Sequence, residues 1–372
     1  MKPLAVKLIG TSYRRVVKPI FFRFDPETVH ERMTATGECM GNSRVAKTIL
    51  ANITTYRDPI LAQHIAGIDF AMPVGLAAGF DYQGRLTQIL PSLGFGFGTI
   101  GSITHEAHPG NPRPILGRLP KSQSLMVNKG FRNLGATAMV KNLSALHFAM
   151  PIGISIGRTN RDLSIAESIA DIAASFRIFE ESALEHSHYE LNISCPNLVG
   201  TASFYNANQL ENLLSAIDAL HIAKPIFVKM PINESDETVL QLLDVIAKHH
   251  LAGVILGNLQ KDRSDPAFHR SEVDKFPTGG FSGKPTERRS NALIALAYKN
   301  FGSKLTIIGC GGVFSAHDAY TKIANGASLI QMITGLIYRG PQVVAEINAG
   351  LAKILRQNNF PSIRDAIGSA LR

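Results

Sequence analysis

The residues best suited to chemistry form a short polar cluster at the end of an apolar stretch. This cluster is Asn192-Ile193-Ser194-Cys195-Pro196-Asn197. Side-chain amides at alternate positions of an apolar strand suit the binding of a polar, planar ligand. A thiol near cationic groups can lose its proton near neutral pH and act as a base or a nucleophile. The alternative is that Cys195 is a small buried filler, as lone cysteines commonly are.

A lysine lies inside another apolar segment. Lys229 falls within Pro225–Ile232, and burying an ammonium group costs several kcal/mol unless it meets a counter-charge or an electron-rich group. One interpretation is a cation beside the pyrimidine end of a flavin, where reduction builds up negative charge. The other is a lysine that extends to solvent at the rim of the fold.

Two glycine-rich turns late in the chain predict a phosphate site. They are Gly309-Cys310-Gly311-Gly312 and Thr334-Gly335. Glycine lets the backbone N–H groups approach a phosphate closely. The sequence has no GxGxxG motif after a strand and no GxxxxGK[ST] motif, so neither a Rossmann site nor a P-loop is predicted. No Cys or His spacing resembles a zinc site, and no metal is expected.

The elements that position these residues alternate between short apolar strands and amphipathic helices. The predicted strands are Met72–Ala78, Phe95–Ile103, Ile152–Ile156, Tyr189–Ser194, Ile226–Met230, Gly253–Gly257, Leu305–Gly309 and Leu329–Thr334. Eight such strands with intervening helices predict an α/β fold, a (β/α)₈ TIM barrel, with a doubly wound open sheet as the alternative. In a barrel, chemistry is located at the carboxyl ends of the strands.

The chain divides into a helical N-terminal extension, residues 1–55, and a barrel domain, residues 56–372. Asp25-Pro26-Glu27 has the residue types that begin a helix. Two long insertions, Ser102–Arg132 and Leu259–Gly283, interrupt the barrel region. Insertions of this length in a compact domain are often active-site lids or binding loops.

Composition excludes several classes of protein. The 372 residues include 38 Lys and Arg against 29 Asp and Glu, a net charge of +9, with 45% hydrophobic and 18% charged residues. This composition is too apolar for a disordered chain. Three cysteines cannot form a disulfide framework and fit a reducing cytoplasm. No apolar run reaches the roughly 18 residues of a transmembrane helix, and no signal peptide is expected.

Positive charge is concentrated at the N-terminus. Six basic residues precede the first acidic residue, Asp25, and apolar residues lie between them; the basic residues are Lys2, Lys7, Arg14, Arg15, Lys18 and Arg23. A basic amphipathic segment can lie on an anionic membrane surface. A solvated helix that covers the main domain is an equal alternative, and nucleic-acid binding is not expected.

These residues also carry a resemblance to a known family. Nine ordered segments resemble dihydroorotate dehydrogenases: Phe22–Met33, Pro73–Asp81, Gly94–Thr104, Pro109–Pro120, Leu191–Asn197, Val228–Met230, Gly279–Pro285, Ile307–Val313 and Gly326–Leu336. The resemblance covers nearly the whole chain. It implies a (β/α)₈ barrel that binds FMN and oxidises dihydroorotate to orotate in pyrimidine biosynthesis.

The resemblance also implies roles for individual residues. The FMN-binding set would be Ala77, Ala78, Gly79, Gly101, Ser102, Ser155, Asn192, Lys229, Gly283, Gly311, Gly312, Thr334 and Gly335. The phosphate would lie on the last four of these, and Lys229 would face the N1/O2 edge of the flavin. The pyrimidine would be held by Asn128, Asn192, Asn197 and Asn258. Cys195 would take a proton from C5 while C6 gives hydride to flavin N5.

The N-terminal segment resembles the membrane-associated, quinone-using class of the family. His30 and Arg118 match positions that line the quinone tunnel of that class. The protein would then be peripheral, on the cytoplasmic side of the inner membrane. Members of that class usually carry serine as the base, whereas Cys195 matches the soluble class. The chain therefore resembles a hybrid of the two, and its oligomeric state is left open.

Several positions depart from the family pattern. The lysine expected after Gly79-Phe80-Asp81 is Tyr82, and the segment Val127–Asn133 is one residue short. Three further positions differ from the residues expected: Ser155, Leu198 and Leu259. Each lost hydrogen bond at a polar site can cost about 1–3 kcal/mol.

Two alternatives to a dihydroorotate dehydrogenase therefore stay open. One is a related flavin oxidoreductase with another dihydropyrimidine or another acceptor. The other is a binding protein without turnover, against which the retained Cys195 and Lys229 argue. Arg132 and Arg158 are nearby cations that could bind a substrate carboxylate.

Overall fold

The computed structural model describes residues 3–372. Its strands are β1 (Gln63–Ile65), β2 (Ile68–Phe70), β3 (Val74–Leu76), β4 (Phe97–Ile103), β5 (Leu116–Leu119), β6 (Ser124–Val127), β7 (Ile152–Ile156), β8 (His188–Asn192), β9 (Ile226–Met230), β10 (Gly253–Leu256), β11 (Gly280–Phe281), β12 (Thr306–Cys310) and β13 (Leu329–Met332).

The helices follow the strands on the outside of the barrel or precede it at the N-terminus. They are α1 (Pro3–Ser12), α2 (Lys18–Phe21), α3 (Pro26–Asn42), α4 (Arg44–Thr54), α5 (Ala136–Leu143), α6 (Ile165–Glu180), α7 (Ala207–Asp218), α8 (Asp236–Ile246), α9 (Arg270–Val273), α10 (Lys284–Phe301), α11 (Ala316–Ala324), α12 (Thr334–Arg339), α13 (Val343–Gln357) and α14 (Ile363–Ala366). A π-helical turn, Tyr13–Val17, joins α1 to α2.

Eight parallel strands close into a barrel in the order β10-β12-β13-β3-β4-β7-β8-β9. The predicted (β/α)₈ barrel is confirmed, and the open sheet is wrong. Each predicted strand overlaps one barrel strand, but several are shorter than predicted. The first covers Val74–Leu76 rather than Met72–Ala78, and the eighth ends at Met332 rather than Thr334. The chain leaves the ladder at these carboxyl ends to form the loops that line the site.

The interior of the barrel contains a layer of polar side chains. Glu190 on β8 is fully buried and accepts hydrogen bonds from Thr99 Oγ1 at 2.6 Å and Gln331 Nε2 at 2.5 Å. A buried carboxylate needs such partners, because burial without them costs several kcal/mol. Apolar side chains such as Phe97 and Phe227 pack around it.

The two insertions form a small sheet together. Strands β5 and β6 come from the first insertion and β11 from the second, and they pair in the order β11-β6-β5. Glu272 supports this sheet by accepting backbone N–H bonds from Lys121 and Ser122, each at 2.9 Å. Backbone groups of both insertions are paired with each other. The two segments that were predicted as loops therefore share one small antiparallel sheet.

The N-terminal helices follow the predicted capping pattern. Asp25 accepts a bond from the backbone N–H of Thr28 at 2.8 Å, and Pro26 is the first residue of α3. Apolar side chains on this part of the chain are exposed: Leu4, Leu8, Val16, Ile20, Phe24, Met33, Val45 and Ile49. Within residues 3–372, no helix combines the length and apolar character that a membrane span requires.

Candidate active site

A cavity of about 180 Å³ opens at the carboxyl ends of the barrel strands. We call it the first cavity. Most residues predicted as functional line it: His30, Ala77, Ala78, Gly79, Gly101, Ser102, Asn192, Cys195, Asn197, Lys229, Asn258, Gly283, Gly311, Gly312, Thr334 and Gly335. They meet there because parallel strands bring their carboxyl ends to one side of a barrel.

Three residues that were predicted to be functional do not line the first cavity. Ser155 is fully buried, and its hydroxyl is 2.7 Å from that of Ser102. Asn128 accepts a bond from Asn111 Nδ2 at 3.0 Å. Arg118 donates to the carbonyl of Phe24 at 2.7 Å. In this arrangement, all three support residues or segments that border the cavity.

Hydrogen bonds fix the side-chain amides at the polar end of the first cavity. Asn192, the last residue of β8, donates to Ser102 Oγ at 2.8 Å and accepts from the backbone N–H of Ser194 at 3.2 Å. Asn258, just after β10, donates to Ser194 Oγ at 2.5 Å. Asn197 donates to the carbonyl of Val127 at 2.9 Å. These bonds fix the amides before any ligand arrives.

Lys229 is a buried cation without a direct ion pair, although the buried carboxylate of Glu190 acts on it from beyond ion-pair distance. It is 5% exposed, and it lies beside Asn192 in the β8–β9 register. Across residues 3–372, it makes no ion pair within 4 Å and no side-chain hydrogen bond. An unmatched buried ammonium that faces a cavity favours an anionic or electron-rich ligand.

Cys195 lies on the loop after β8 and is partly exposed. Burial raises the pKa of its thiol to about 11, while the backbone N–H of Asn197 and the cations Arg158, Lys261 and Lys229 oppose that rise. The thiol is therefore mostly protonated at neutral pH. A base of this kind becomes more effective as the pH rises.

Helix α3 covers the mouth of the first cavity through an ionic cluster. Glu27 is almost fully buried and lies 2.9 Å from Arg132 Nη1 and 3.6 Å from Lys129 Nζ. Glu31 accepts a hydrogen bond from the Tyr82 hydroxyl at 2.7 Å and lies 3.3 Å from Arg132. We call these five residues the α3 cluster.

Tyr82 and His30 form an aromatic wall of the first cavity. The ring of Tyr82 stacks with that of His30 at 5.8 Å, and Lys129 Nζ lies 4.7 Å from the Tyr82 ring centroid. Burial and the cations Lys129, Arg132 and Arg85 lower the pKa of His30 to about 3. His30 is therefore a neutral ring at physiological pH.

Sequence reasoning missed the apolar arm of the first cavity. Under the N-terminal helices, its walls come from Phe80, Leu116, Leu125, Val127 and Ile337. Leu116, Leu125 and Val127 belong to β5 and β6, which pair antiparallel. These strands are only four residues long, and only β5 alternates in burial. They lie in an insertion rich in proline and glycine, so the sequence signal for two strands was weak.

A family model described as dihydroorotate dehydrogenase matches residues 60–355. The chain belongs to the dihydroorotate dehydrogenase family. Two curated relatives, each named dihydroorotate dehydrogenase (quinone), match nearly full length. The relative from Acaryochloris marina is 33% identical and that from Mycolicibacterium smegmatis 36%; each alignment covers 96% of this chain and 99% of the relative.

Solved structures agree with this assignment to the dihydroorotate dehydrogenase family. The enzyme from Eimeria tenella in complex with ferulenol matches with a TM-score of 0.81 and 26% identity, over 92% of this chain and 95% of that chain. Its ligand-free form matches with a TM-score of 0.78 and 27% identity. The similarity extends beyond the barrel, because the match covers more residues than residues 56–372 contain.

Proposed function

We propose that this protein is an FMN-dependent dihydroorotate dehydrogenase that passes electrons to a membrane quinone. The observation that carries the proposal is the composition of the first cavity. Cys195, Asn192, Asn197, Asn258 and an unmatched Lys229 meet at its polar end. Its other end is apolar and lies under helices with exposed apolar side chains. The names of the relatives support the same reaction.

The residues present fit FMN. Gly312 has a φ of 73°, and an added Cβ would collide with Glu287 of α10. Only glycine gives this turn its shape, which keeps the backbone beside the cavity free for a phosphate. Gly311, Thr334 and Gly335 line the same end. When bound there, FMN would supply the hydride and electron-transfer chemistry that the reaction requires.

The chain's own residues then have separate tasks. The three asparagine amides hold the planar pyrimidine by hydrogen bonds. Cys195 Sγ, as the thiolate, takes the proton from C5 of dihydroorotate. Lys229 provides positive charge at the pyrimidine end of the flavin. Ser155 orients Ser102, and Asn128 orients Asn111, so these two act through their neighbours.

We extend the proposal to the N-terminal extension, residues 1–55. Its exposed leucines and isoleucines would enter the surface of the bilayer, with the basic residues at the anionic lipid headgroups. A quinone would reach the apolar arm past His30, whose neutral ring favours an apolar ligand. Arg118 would fix the segment around Phe24 at this entrance. The proposed location is peripheral, on the cytoplasmic side of the inner membrane.

The test is anaerobic reduction of the purified flavoprotein by dihydroorotate. The proposal expects loss of the flavin absorbance within one turnover, followed by recovery when a soluble quinone is added. If dithionite reduces the flavin and dihydroorotate does not, then the proposed substrate is wrong.

The runner-up is a flavin oxidoreductase that acts on a different dihydropyrimidine. Two observations favour keeping it. Tyr82 and Leu259 line the first cavity at positions where the family resemblance leads us to expect polar groups. Dihydrouracil and dihydrothymine, tested under the same anaerobic conditions, separate the two functions.

We expect Lys229→Met to weaken FMN retention by about tenfold or more, because a charge-assisted hydrogen bond contributes about 1.5–3 kcal/mol. The measurement is the dissociation constant for FMN by fluorescence titration of the apoprotein. Lys304→Met is the control, since Lys304 is exposed after α10. Equal FMN affinity in the two variants would contradict the role of Lys229.

We expect Leu116→Trp to separate the two half-reactions. Its larger ring would fill the apolar arm and slow flavin reoxidation by quinone, while dihydroorotate would still reduce the flavin. Leu116→Met keeps the volume nearly constant and is the control. Stopped-flow absorbance measures both steps. Unchanged reoxidation by a long-chain quinone in Leu116→Trp would place the quinone elsewhere.

A further inference from the structure

A second compartment also borders the Cys195 thiol. It encloses about 220 Å³ and shares Asn192 and Cys195 with the first cavity. The loop after β8 forms much of its wall, and Arg158, Lys261 and Tyr205 also line it. Cys195 therefore borders two separate spaces.

Arg158 is a buried cation without a direct ion pair, although the carboxylates of Asp171 and Asp162 act on it from beyond ion-pair distance. It is 5% exposed, and no carboxylate of residues 3–372 lies within 4 Å of its guanidinium. Its Nη1 donates to the carbonyls of Thr159 and Arg161, and its Nη2 donates to that of Val199 at 2.7 Å. A guanidinium has five N–H donors. The Nε–H and one Nη2–H therefore have no acceptor in the described chain.

Lys261 adds a second positive charge to this compartment. Lys261 is exposed, and its ammonium makes no ion pair within 4 Å and no hydrogen bond in the described part of the chain; its backbone N–H donates to side-chain oxygens of Asn233 and Gln260. Arg132, the other cation considered for a carboxylate, is instead matched by Glu27 and Glu31 in the α3 cluster. Besides Lys229 in the first cavity, the cations near Cys195 that have no ion pair within 4 Å are therefore Arg158 and Lys261 of the second compartment.

We propose that the second compartment is a carboxylate-binding site, in which Arg158 and Lys261 hold a small carboxylate beside Cys195. Two unused guanidinium donors and a free ammonium suit a carboxylate, which accepts several charge-assisted bonds. The carboxylate has two candidate sources, the substrate's own group and a separate small anion. The first source rests on the proposed function, whereas the site itself does not.

Two alkylating reagents test the site without relying on turnover. Iodoacetate and iodoacetamide differ in one carboxylate, and each forms an S–C bond with the Cys195 thiolate while iodide leaves. Because both react with the same thiolate, the ratio of their rates cancels changes in the thiol pKa. Peptide mass spectrometry of the holoenzyme measures this ratio at Cys195, with the exposed Cys39 as the internal reference.

The proposal expects the iodoacetate to iodoacetamide ratio to be about tenfold higher at Cys195 than at Cys39, the size of one charge-assisted bond. Lys261→Met should remove most of this preference, and Lys304→Met should keep it. Arg158→Met should also remove it, and Arg158→Lys should restore part of it. An equal ratio at both cysteines, or an unchanged preference in Lys261→Met, would overturn the site.

Protection experiments identify the source of the carboxylate. If orotate protects Cys195 better than uracil, and Lys261→Met removes the difference, the substrate's carboxylate occupies the site. If formate protects as well as orotate, the site holds a separate anion. A protein that fails to oxidise dihydroorotate but keeps the iodoacetate preference would disprove the proposed function and leave the site standing.

Discussion

Replacing Cys195 with alanine is expected to slow flavin reduction by dihydroorotate by about 10²- to 10⁴-fold, the usual contribution of a general base. Cys195 is the one thiol on the loop that separates the two cavities. FMN should stay bound, because Cys195 is not among the residues expected to contact the phosphate or the flavin, and the substitution leaves those residues unchanged. Anaerobic stopped-flow absorbance measures the rate, and Cys39→Ala controls for loss of a thiol. A rate within threefold of the unchanged protein would exclude Cys195 as the base.

The pKa of the Cys195 thiol predicts how the rate of flavin reduction depends on pH. Burial holds the pKa of Cys195 at about 11, so the thiolate fraction rises about tenfold per pH unit below that value. The rate of flavin reduction should rise with pH and level off near the pKa of the Cys195 thiol. In Cys195→Ser, whose hydroxyl has a higher pKa, the rate should be lower and should keep rising over the same range. A profile that is flat between pH 6 and pH 9 would contradict a thiol with this pKa.

The second large effect concerns the α3 cluster and stability. Glu27→Gln should lower the free energy of unfolding by about 3–5 kcal/mol, because it removes the charge of a buried carboxylate and leaves Lys129, whose side chain is only 13% exposed, without its ion pair. Lys129 and Arg132 both lie within 4 Å of Glu27. Urea unfolding followed by circular dichroism measures the loss. Trypsin should also cleave the N-terminal helices earlier in this variant.

A variant on the same helix provides the control. Glu38 pairs with Arg85 at 2.7 Å, but its side chain is 42% exposed. An exposed pair contributes up to about 1 kcal/mol, so Glu38→Gln should have little effect. If the two variants lose equal stability, the ion pairs of Glu27 are no stronger than those at the surface.

The sequence was sufficient to predict the barrel and most of the polar end of the site. Apolar strands alternating with amphipathic helices admit few arrangements, and closure brings Asn192, Lys229 and Thr334 to one end. The boundaries differed by at most two residues at strand ends, where the chain turns into loops. Roles in binding and catalysis stay predictions, since they depend on ligands as well as on placement.

The parts that escaped prediction depend on contacts between distant residues. Glu27 and Arg132 are 105 positions apart, and the sequence around each residue does not indicate which residue it pairs with. The second compartment depends on how the loop after β8 packs against Arg158 and Lys261. Glu190 lies in a strand where its neighbours are apolar, and only the closed barrel reveals Gln331 as its partner, 141 positions later.

The small sheet shared by the two insertions has a consequence for exchanging parts between relatives. Phe281 of the second insertion pairs with Met126 of the first, and Ser122 is held by Glu272, 150 positions away. A chimera that receives one insertion from another family member would combine strands from two different proteins in this sheet. The side chains of those strands would not be matched to each other. The two segments therefore form one structural unit, and an exchange of either segment between relatives must carry both.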